Sequence, residues 1–292
     1  MKDASVPIIS HTVPDGTPRC RFSEYACDAL DFFPSRKSMK KAIKRGDFLI
    51  DGEPASTGRW VQPGQLIELF ELETVKGKDY RHGLEIVYED EFLAVVNKPA
   101  GMAVNGNRFK TLQNALAFNL SRSAEPDALV SPMPVHRLDA ATSGLVIAAR
   151  CRRSQVLLGR QFETRAVNKR YRAVVQGRID RPGKILTPID GREAETDYAP
   201  VFSVPSIKNE FLTLVDLHPR TGRMHQIRRH MAQSGHPVAG DALYGEKGNV
   251  YRGKGLFLSA VELDFTHPVT GSELKVKIDD PSKFASLLER EE

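Results

Sequence analysis

Apolar positions near the start of the chain recur at helical spacing. Phe22, Tyr25, Ala26 and the pair Ala29–Leu30 lie three or four residues apart. Pro34–Ser35 interrupts this pattern, and Ser35 is placed to cap a second helix. That helix carries Met39, Ala42 and Ile43 on one face and lysines on the other, and it stops at Gly46. Short strands follow: "FLI" (48–50) runs into the Asp51–Gly52 turn, and "QLIELF" (65–70) leaves the Pro63–Gly64 turn. Two small helices and a short β-meander predict a compact α/β module over residues 21–71. Residues 1–20, rich in Pro, Ser, Thr and Asp and without periodicity, read as a flexible leader, and the charged stretch 72–83 reads as a linker.

From Leu84 onward strands dominate. "EIVYEDEFLAVVNKP" predicts two strands around the acidic turn Glu89–Asp90–Glu91, and "TLQNALAFNL" a helix. "GLVIAA" is a strand, "RRSQVLLGRQFETRAV" an amphipathic basic helix, and "KRYRAVVQG" and "EFLTLVDLH" are strands. "GRMHQIRRHMAQSG" predicts a helix closed by Gly235, and "GLFLSAVELDFTHP" and "SELKVKI" predict further strands. Strands outnumber helices and many adjoin through short turns. The expected fold class is therefore α+β: a mixed, largely antiparallel sheet with flanking helices over residues 84–292, with the small module in front of it.

Composition narrows the function class. No run of about 18 apolar residues occurs, and the N-terminus lacks the apolar core of a signal peptide, so the expected location is cytoplasmic, with no membrane partner. Cys20, Cys27 and Cys151 are too few for a disulfide framework. The net charge of +5 is modest, but the charge is clustered. Residues 36–45 hold six Lys/Arg and no acid, residues 150–172 hold eight against Glu163 alone, and residues 218–230 hold four arginines and three histidines with no acid. Three such clusters point to a surface that follows a phosphate backbone rather than to ordinary solvated helix faces.

One carboxylate stands out. Asp139 lies in "PVHRLDAATSGLVIAAR" (134–150), where a loop enters an apolar strand, with no second carboxylate and no metal-binding cluster beside it in the sequence. Gly144 permits close backbone approach, and Thr142 and Ser143 can orient the loop through local hydrogen bonds. A lone carboxylate serves as nucleophile or general base when a cation keeps it ionised. A hydrolase would pair it with a second acid that activates water. His136, His225 and His230 form no ligand motif and read as structural or RNA-facing, so no metal and no cofactor are expected.

These residues carry a resemblance. "HRLDAATSGLVIAA" resembles the signature of the RluA-type pseudouridine synthases, in which the Asp of H-R-L-D-x-x-T-S-G is catalytic. "LEIVYEDEFLAVVNKPAGMAV" is similar to that family's opening strand pair, and "KRYRAVVQG" to its K-x-Y-x-A-x-V-x-G strand. "RTGRMHQIRRHMAQSGHPVAGDALYG" is similar to its G-R-x-H-Q-I/L-R-x-H motif and G-H-P…G-D…Y-G continuation, and "LFLSAVELDFTHPVTG" to its closing strand. The five motifs keep their order over residues 84–278. "SRKSMKKAIKRGDFLIDGEPA" resembles the S-four-type RNA-binding domain, departing from the usual pattern where "DFLIDG" replaces V-x-V-N-G.

The resemblance implies an RNA uridine isomerase. Asp139 attacks or deprotonates the ribose of a target uridine, the N-glycosidic bond breaks, and the uracil rotates and rejoins through carbon 5. Arg228 matches the arginine that pairs with the catalytic carboxylate. Tyr171 matches the tyrosine lying against the target base, and Ile227 would form an apolar floor beneath it. Because a stacked uridine is out of reach, it must be extruded; Arg137 matches the arginine that fills the vacated space, and the adjacent His136 joins the substrate-binding group. Lys40, Lys41, Lys44 and Arg45 are the expected phosphate contacts of the module. Lys98 is either structural or a phosphate contact. The expected partner is structured RNA, ribosomal in preference to transfer RNA, bound by a monomer. A non-catalytic RNA-binding protein or chaperone on the same fold is the rival reading, and it has no use for Asp139, Tyr171 and Arg228 together.

Overall fold

The computed structural model describes residues 7, 9–30, 36–70, 80–245, 251 and 254–291. The Ser35 cap and most of the expected linker lie outside them. The N-terminal part contains β1 (Ile9–Thr12), α1 (Phe22–Ala29), α2 (Arg36–Arg45), β2 (Phe48–Ile50), β3 (Glu53–Pro54) and β4 (Leu66–Leu69). Its four strands form one sheet in the order β1-β4-β2-β3. The helix pattern read from sequence holds: Met39, Ala42 and Ile43 are buried in a core with Phe22, Phe48 and Ile50, and Gly46 ends α2 with a φ of 84°. The leader expectation fails in part. Ile9–Thr12 pairs antiparallel with β4, and the Val13 N–H donates to the Gln65 carbonyl at 2.9 Å. A four-residue edge strand carries too little periodicity to be read alone, because its ladder partners lie far along the chain.

Residues 80–83, assigned to the linker by composition, are docked. The Tyr80 N–H donates to Asn114 O at 3.2 Å, and Asn119 bonds both His82 O and the Leu84 N–H. The second body then runs β5 (Glu85–Glu89), β6 (Leu93–Lys98), α3 (Leu112–Asn119), β7 (Ala128–Pro134), β8 (Ser143–Cys151), α4 (Arg152–Glu163) and β9 (Asn168–Gln176). It continues through β10 (Gly183–Ile185), β11 (Thr196–Ser206), β12 (Glu210–Pro219), α5 (Gln226–Gln233), β13 (Leu258–Thr266), β14 (Glu273–Lys277) and α6 (Ser282–Glu291). Ten strands make one sheet along the path β10-β11-β12-β9-β13-β8-β6-β5, with β14 beside β13 and β7 beside β8. Among the described strand pairs only β13–β8 is parallel, so the mixed, largely antiparallel α+β expectation is met. Not predicted were β3, β7, β10, β11 and α6. β11 contains Pro200 and Pro205, which speak against a strand in sequence, yet β12 pairs along its length around a bulge between Pro200 and Phe202.

The helices divide between the two faces. On one face α3 packs Leu112 and Leu116 on Val96 and Val146, and α5 packs Ile227 and Met231 on Ala173 and Leu217. On the other, α4 covers Leu145 and Ile147 through Leu158, and α6 covers Val174 and Leu212 through Phe284 and Leu287. Tyr171 is packed against both cores of the first face and marks the seam between them. One lateral row of the sheet crosses that seam: Lys98, Gly144, Ala260, Tyr171 and Leu217 are successive register partners. Directly opposed residues project to the same face, so this row aims Lys98 and Tyr171 together.

Gly144 makes the row possible. Its φ is +112°, and a Cβ added there would stand 2.2 Å from the Ala260 carbonyl oxygen and 2.5 Å from its nitrogen. Both neighbours are backbone and neither can yield. Gly144→Ala is therefore expected to cost about 2–4 kcal/mol of stability by urea denaturation. An unchanged midpoint would show that the β8–β13 contact does not constrain the fold.

Candidate active site

Asp139 sits in the loop between β7 and β8, and its neighbours anchor it to both cores. Leu138 is buried in the α3 core, while Ala141 packs on the α5 core. The Thr142 N–H donates back to Asp139 O at 3.1 Å, closing a turn. The Ala140 carbonyl accepts the Gly101 N–H at 2.7 Å and the Lys98 ammonium at 3.4 Å. Lys98 Nζ also donates to Pro99 O and Met102 O, both at 2.9 Å, and the residue is fully buried. Of the two readings left open for Lys98, the structural one holds: it ties the loop after β6 to the loop that carries Asp139. Burial pushes its amine down to about 8, against the pull of the Asp139 charge.

The other side of the site is the entry to α5. The helix starts at Gln226, later than the sequence pattern implied, because His225 adopts a left-handed conformation with φ 54°. Gln226 pins this corner by donating to Glu195 O and Thr196 Oγ1 and by accepting from Thr221 Oγ1 and the Arg223 N–H. His230 is buried and bonded to Thr196 Oγ1 and Thr187 O, a structural role that fits one of its two expected readings. His225 and Arg228 point instead at Asp139. His225 Nε2 lies 3.7 Å from Oδ1, and Arg228 Nη1 lies 3.6 Å from Oδ2.

The expected Arg228–Asp139 pairing is thus present but is not the main contact of the guanidinium. Arg228 donates from Nε and Nη2 to the two oxygens of Asp241, both at 2.7 Å. Asp241 is 1% exposed and also accepts the Leu243 and Tyr244 N–H groups. Burial works against both charges. The mutual hydrogen bonds still hold the Asp241 carboxyl below the usual range and the Arg228 guanidinium above it. A buried arginine needs a close, hydrogen-bonded counter-ion, and Asp241 is the nearer one.

A cleft of about 830 Å³ opens over this group, within the range of nucleotide-sized pockets. It is lined by Asp139, Tyr171, Ile227, Arg228 and Arg137, so the structure brings those predicted residues together. Six Lys/Arg line it against two acids, Asp139 and the exposed Glu163 at the rim. Burial, reinforced by the Asp139 charge, raises the Tyr171 phenol well above its ordinary value, so it is a neutral donor at physiological pH. Ile227 is buried beneath the cleft. Arg137 is exposed and makes no ion pair among the described residues.

His136, expected in the substrate-binding group, also lines the cleft, but its ring is engaged by the fold. Its Nε2 accepts the Ile147 N–H at 3.0 Å, and its ring stacks on Phe162 at 4.5 Å. Burial, with the nearby Lys169 charge, pushes it down to about 3, so the ring stays neutral and extends the β7–β8 pairing. The basic run 150–172 also changes meaning. Arg150, Arg153, Arg170 and Arg172 pair with acids of the same chain, whereas Arg165 and Lys169 line the cleft. In the N-terminal part Arg45 clamps Asp47, leaving Lys40, Lys41 and Lys44 on the exposed face of α2. Sequence reasoning missed His225, Asp241 and Tyr244 as site residues. All three lie in the motif spanning 220–245, but only in space does His225 face Asp139, with Tyr244 on its other nitrogen and Asp241 on Arg228.

The family model described as RNA pseudouridylate synthase matches residues 92–233. A relative from Aquifex aeolicus (strain VF5), named as an uncharacterized RNA pseudouridine synthase, is 33% identical, with 87% of this chain and 88% of the relative covered. Ribosomal large subunit pseudouridine synthase D of Xanthomonas campestris pv. campestris is also 33% identical, over 94% of this chain and 90% of the relative. The solved structure of human RNA Pseudouridylate Synthase Domain Containing 1 superposes with a TM-score of 0.58 at 28% identity, covering 69% of this chain and 85% of that one. The family and these relatives define the class, an RNA-modifying isomerase. The chain belongs to the RluA-type RNA pseudouridine synthases.

The buried lysine gives a test of the loop. Its folded value of about 8 lies below the ordinary 10.5, so between these pH values the unfolded chain binds more protons than the folded one. The contribution of Lys98 to stability therefore rises with pH across that window. Urea denaturation of wild type and Lys98→Met at several pH values should show their difference growing from pH 8 toward 10.5. A pH-independent difference would mean that the amine is not held as described.

Proposed function

We propose that this RNA pseudouridine synthase isomerises specific uridines in large-subunit ribosomal RNA, with Asp139 as its catalytic group. The observation that carries the reading is the placement of Asp139 in the cleft, its two oxygens faced separately by Arg228 and His225, beside the neutral phenol of Tyr171. The carboxylate acts on the ribose, as nucleophile at the anomeric carbon or as base at the 2′ position. The N-glycosidic bond breaks, and the uracil turns and rejoins the sugar through carbon 5. No water is consumed, so the reaction needs no second acid to activate one. Tyr171 lies where it can support the turning base, and Ile227 supplies an apolar floor.

Ribosomal RNA is favoured over transfer RNA by the relatives named ribosomal large subunit pseudouridine synthase D, which match nearly the whole chain. Extrusion of the target leaves a gap in the RNA stack. The exposed Arg137, held by no ion pair among the described residues, is suited to fill it. Arg165 and Lys169 on the cleft wall are suited to the flanking phosphates, with burial and the Arg165 charge lowering the Lys169 amine until an anion arrives. The part up to Phe70 is read as an S-four-type RNA-binding domain whose lysine face on α2 adds affinity.

Asp139→Asn tests the central assignment. The change is nearly isosteric and removes the reactive charge, so the single-turnover rate at saturating RNA should fall by more than about 10³-fold while affinity changes little. A mutant that kept about a tenth of the wild-type rate would rule Asp139 out.

Replacing Lys40, Lys41 and Lys44 with Ala tests the module. For each phosphate that one of these lysines neutralises, the log–log salt dependence of binding should flatten by roughly 0.7–0.9, with the saturated rate unchanged. A saturated rate that fell along with affinity would mean that the module shapes the site.

A further inference from the structure

His225 holds its position at the cost of backbone strain. A non-glycine residue in the left-handed region costs roughly 1 kcal/mol or more and persists only where its surroundings enforce it. Here the reversal at φ 54°, ψ 27° turns the imidazole toward Asp139, with Nε2 3.7 Å from Oδ1. The other ring nitrogen, Nδ1, lies 3.0 Å from the Tyr244 hydroxyl, and the two rings meet edge-on at 76°. Tyr244 belongs to the short turn that begins at Asp241, and its own N–H donates to Asp241 Oδ1 at 3.1 Å. Its ring also lies 5.2 Å from the Arg228 guanidinium. One turn thus holds both groups that face Asp139: Asp241 holds Arg228 on the Oδ2 side, and Tyr244 holds His225 on the Oδ1 side.

We propose that Tyr244 and His225 form a positioning relay for the catalytic carboxylate. The Tyr244 hydroxyl donates to Nδ1, which leaves the proton of the neutral ring on Nε2, directed at Asp139 Oδ1. A single cation on Oδ2 leaves the carboxylate free to rotate about its terminal torsion. A second donor on the other oxygen fixes that rotation and sets which lone pairs face the ribose. The 3.7 Å separation closes to a hydrogen bond when substrate excludes water, as apo catalytic contacts commonly tighten in the reactive complex. Without the tyrosine hydroxyl the ring is free to carry its proton on Nδ1, and a lone pair would then face the carboxylate.

The inference rests on the reading of Asp139 as the catalytic group, and the test separates the two. Tyr244→Phe keeps the ring against Arg228 and removes only the hydroxyl. Its single-turnover rate at saturating RNA should fall about tenfold, the size of one charge-assisted hydrogen bond, with RNA affinity unchanged. His225→Gln retains an amide N–H donor and should keep more activity than His225→Ala. The decisive arm is the double variant: in a His225→Gln background, Tyr244→Phe should cost nothing further, because no tautomer remains to be set. Histidine ring ¹⁵N spectra, assigned by the loss of one signal in His225→Gln, should show Nε2 protonated in wild type and a shift toward Nδ1 protonation in Tyr244→Phe. Multiplicative losses in the double variant, or unchanged ring spectra, would overturn the relay and leave Tyr244 a packing residue. An inactive Asp139→Asn beside a fully active Tyr244→Phe would sink the relay alone, whereas an active Asp139→Asn would sink the reading beneath it.

Discussion

The contact of Gly144 with the backbone of Ala260 is the constraint on which the site depends. β8 and β13 meet there in parallel over only two register pairs, Ser143 with Ser259 and Gly144 with Ala260. That short junction joins the half of the sheet built on β6 and β8 to the half built on β9 and β12. It brings Lys98 and Tyr171 into one row from opposite sides, and the loop that precedes Ser143 lies over the seam. Any side chain at position 144 would push the halves apart and carry Asp139 with one of them. The glycine of this motif is therefore a requirement of strand approach, and its effect on chemistry follows from the alignment it permits.

A second constraint is electrostatic. Burying the Arg228 guanidinium costs several kcal/mol unless its donors are matched, and Asp241 matches two of them in a planar fork. If Arg228 clamped Asp139 in the same way, the guanidinium fork would tie up the proposed catalytic carboxylate in a short bidentate pair that attack or proton transfer would have to break first. The division between two acids avoids this. Asp241 compensates the desolvation, while Nη1 offers Asp139 a charge at 3.6 Å without occupying it. Lys98 contributes a buried cation on the side of the loop after β6, bonded to carbonyls and free of any clamp on Asp139.

Surface charge follows a related division. Clusters of arginine in the sequence suggested a continuous phosphate track, but Arg150, Arg153, Arg170 and Arg172 are held by acids of the same chain. Arg165 and Lys169 of the same run line the cleft together with Arg137, and Lys40, Lys41 and Lys44 lie on the exposed face of α2. Charge counts along a chain do not distinguish these uses, because the neutralising carboxylates come from other strands and are close only after folding.

Much of this protein was legible in one dimension, where the physics is local. Helical spacing placed Met39, Ala42 and Ile43 in a core, apolar runs marked the central strands, and the family resemblance implied that Asp139, Tyr171, Ile227 and Arg228 are neighbours. Strands such as β1 and β11 were not legible, since a short or proline-bearing segment becomes a strand only when a distant partner supplies its ladder. The same limit applied at the site. His136 and His225 look alike in sequence, yet one accepts the Ile147 N–H and the other is turned by a left-handed backbone toward Asp139. Residue type determined which chemistry was available to this chain. Which carboxylate Arg228 grips, which histidine faces Asp139 and which lysine ties its loop were decided by tertiary structure, because hydrogen bonds and ion pairs depend on distances of a few ångströms between segments far apart in the chain.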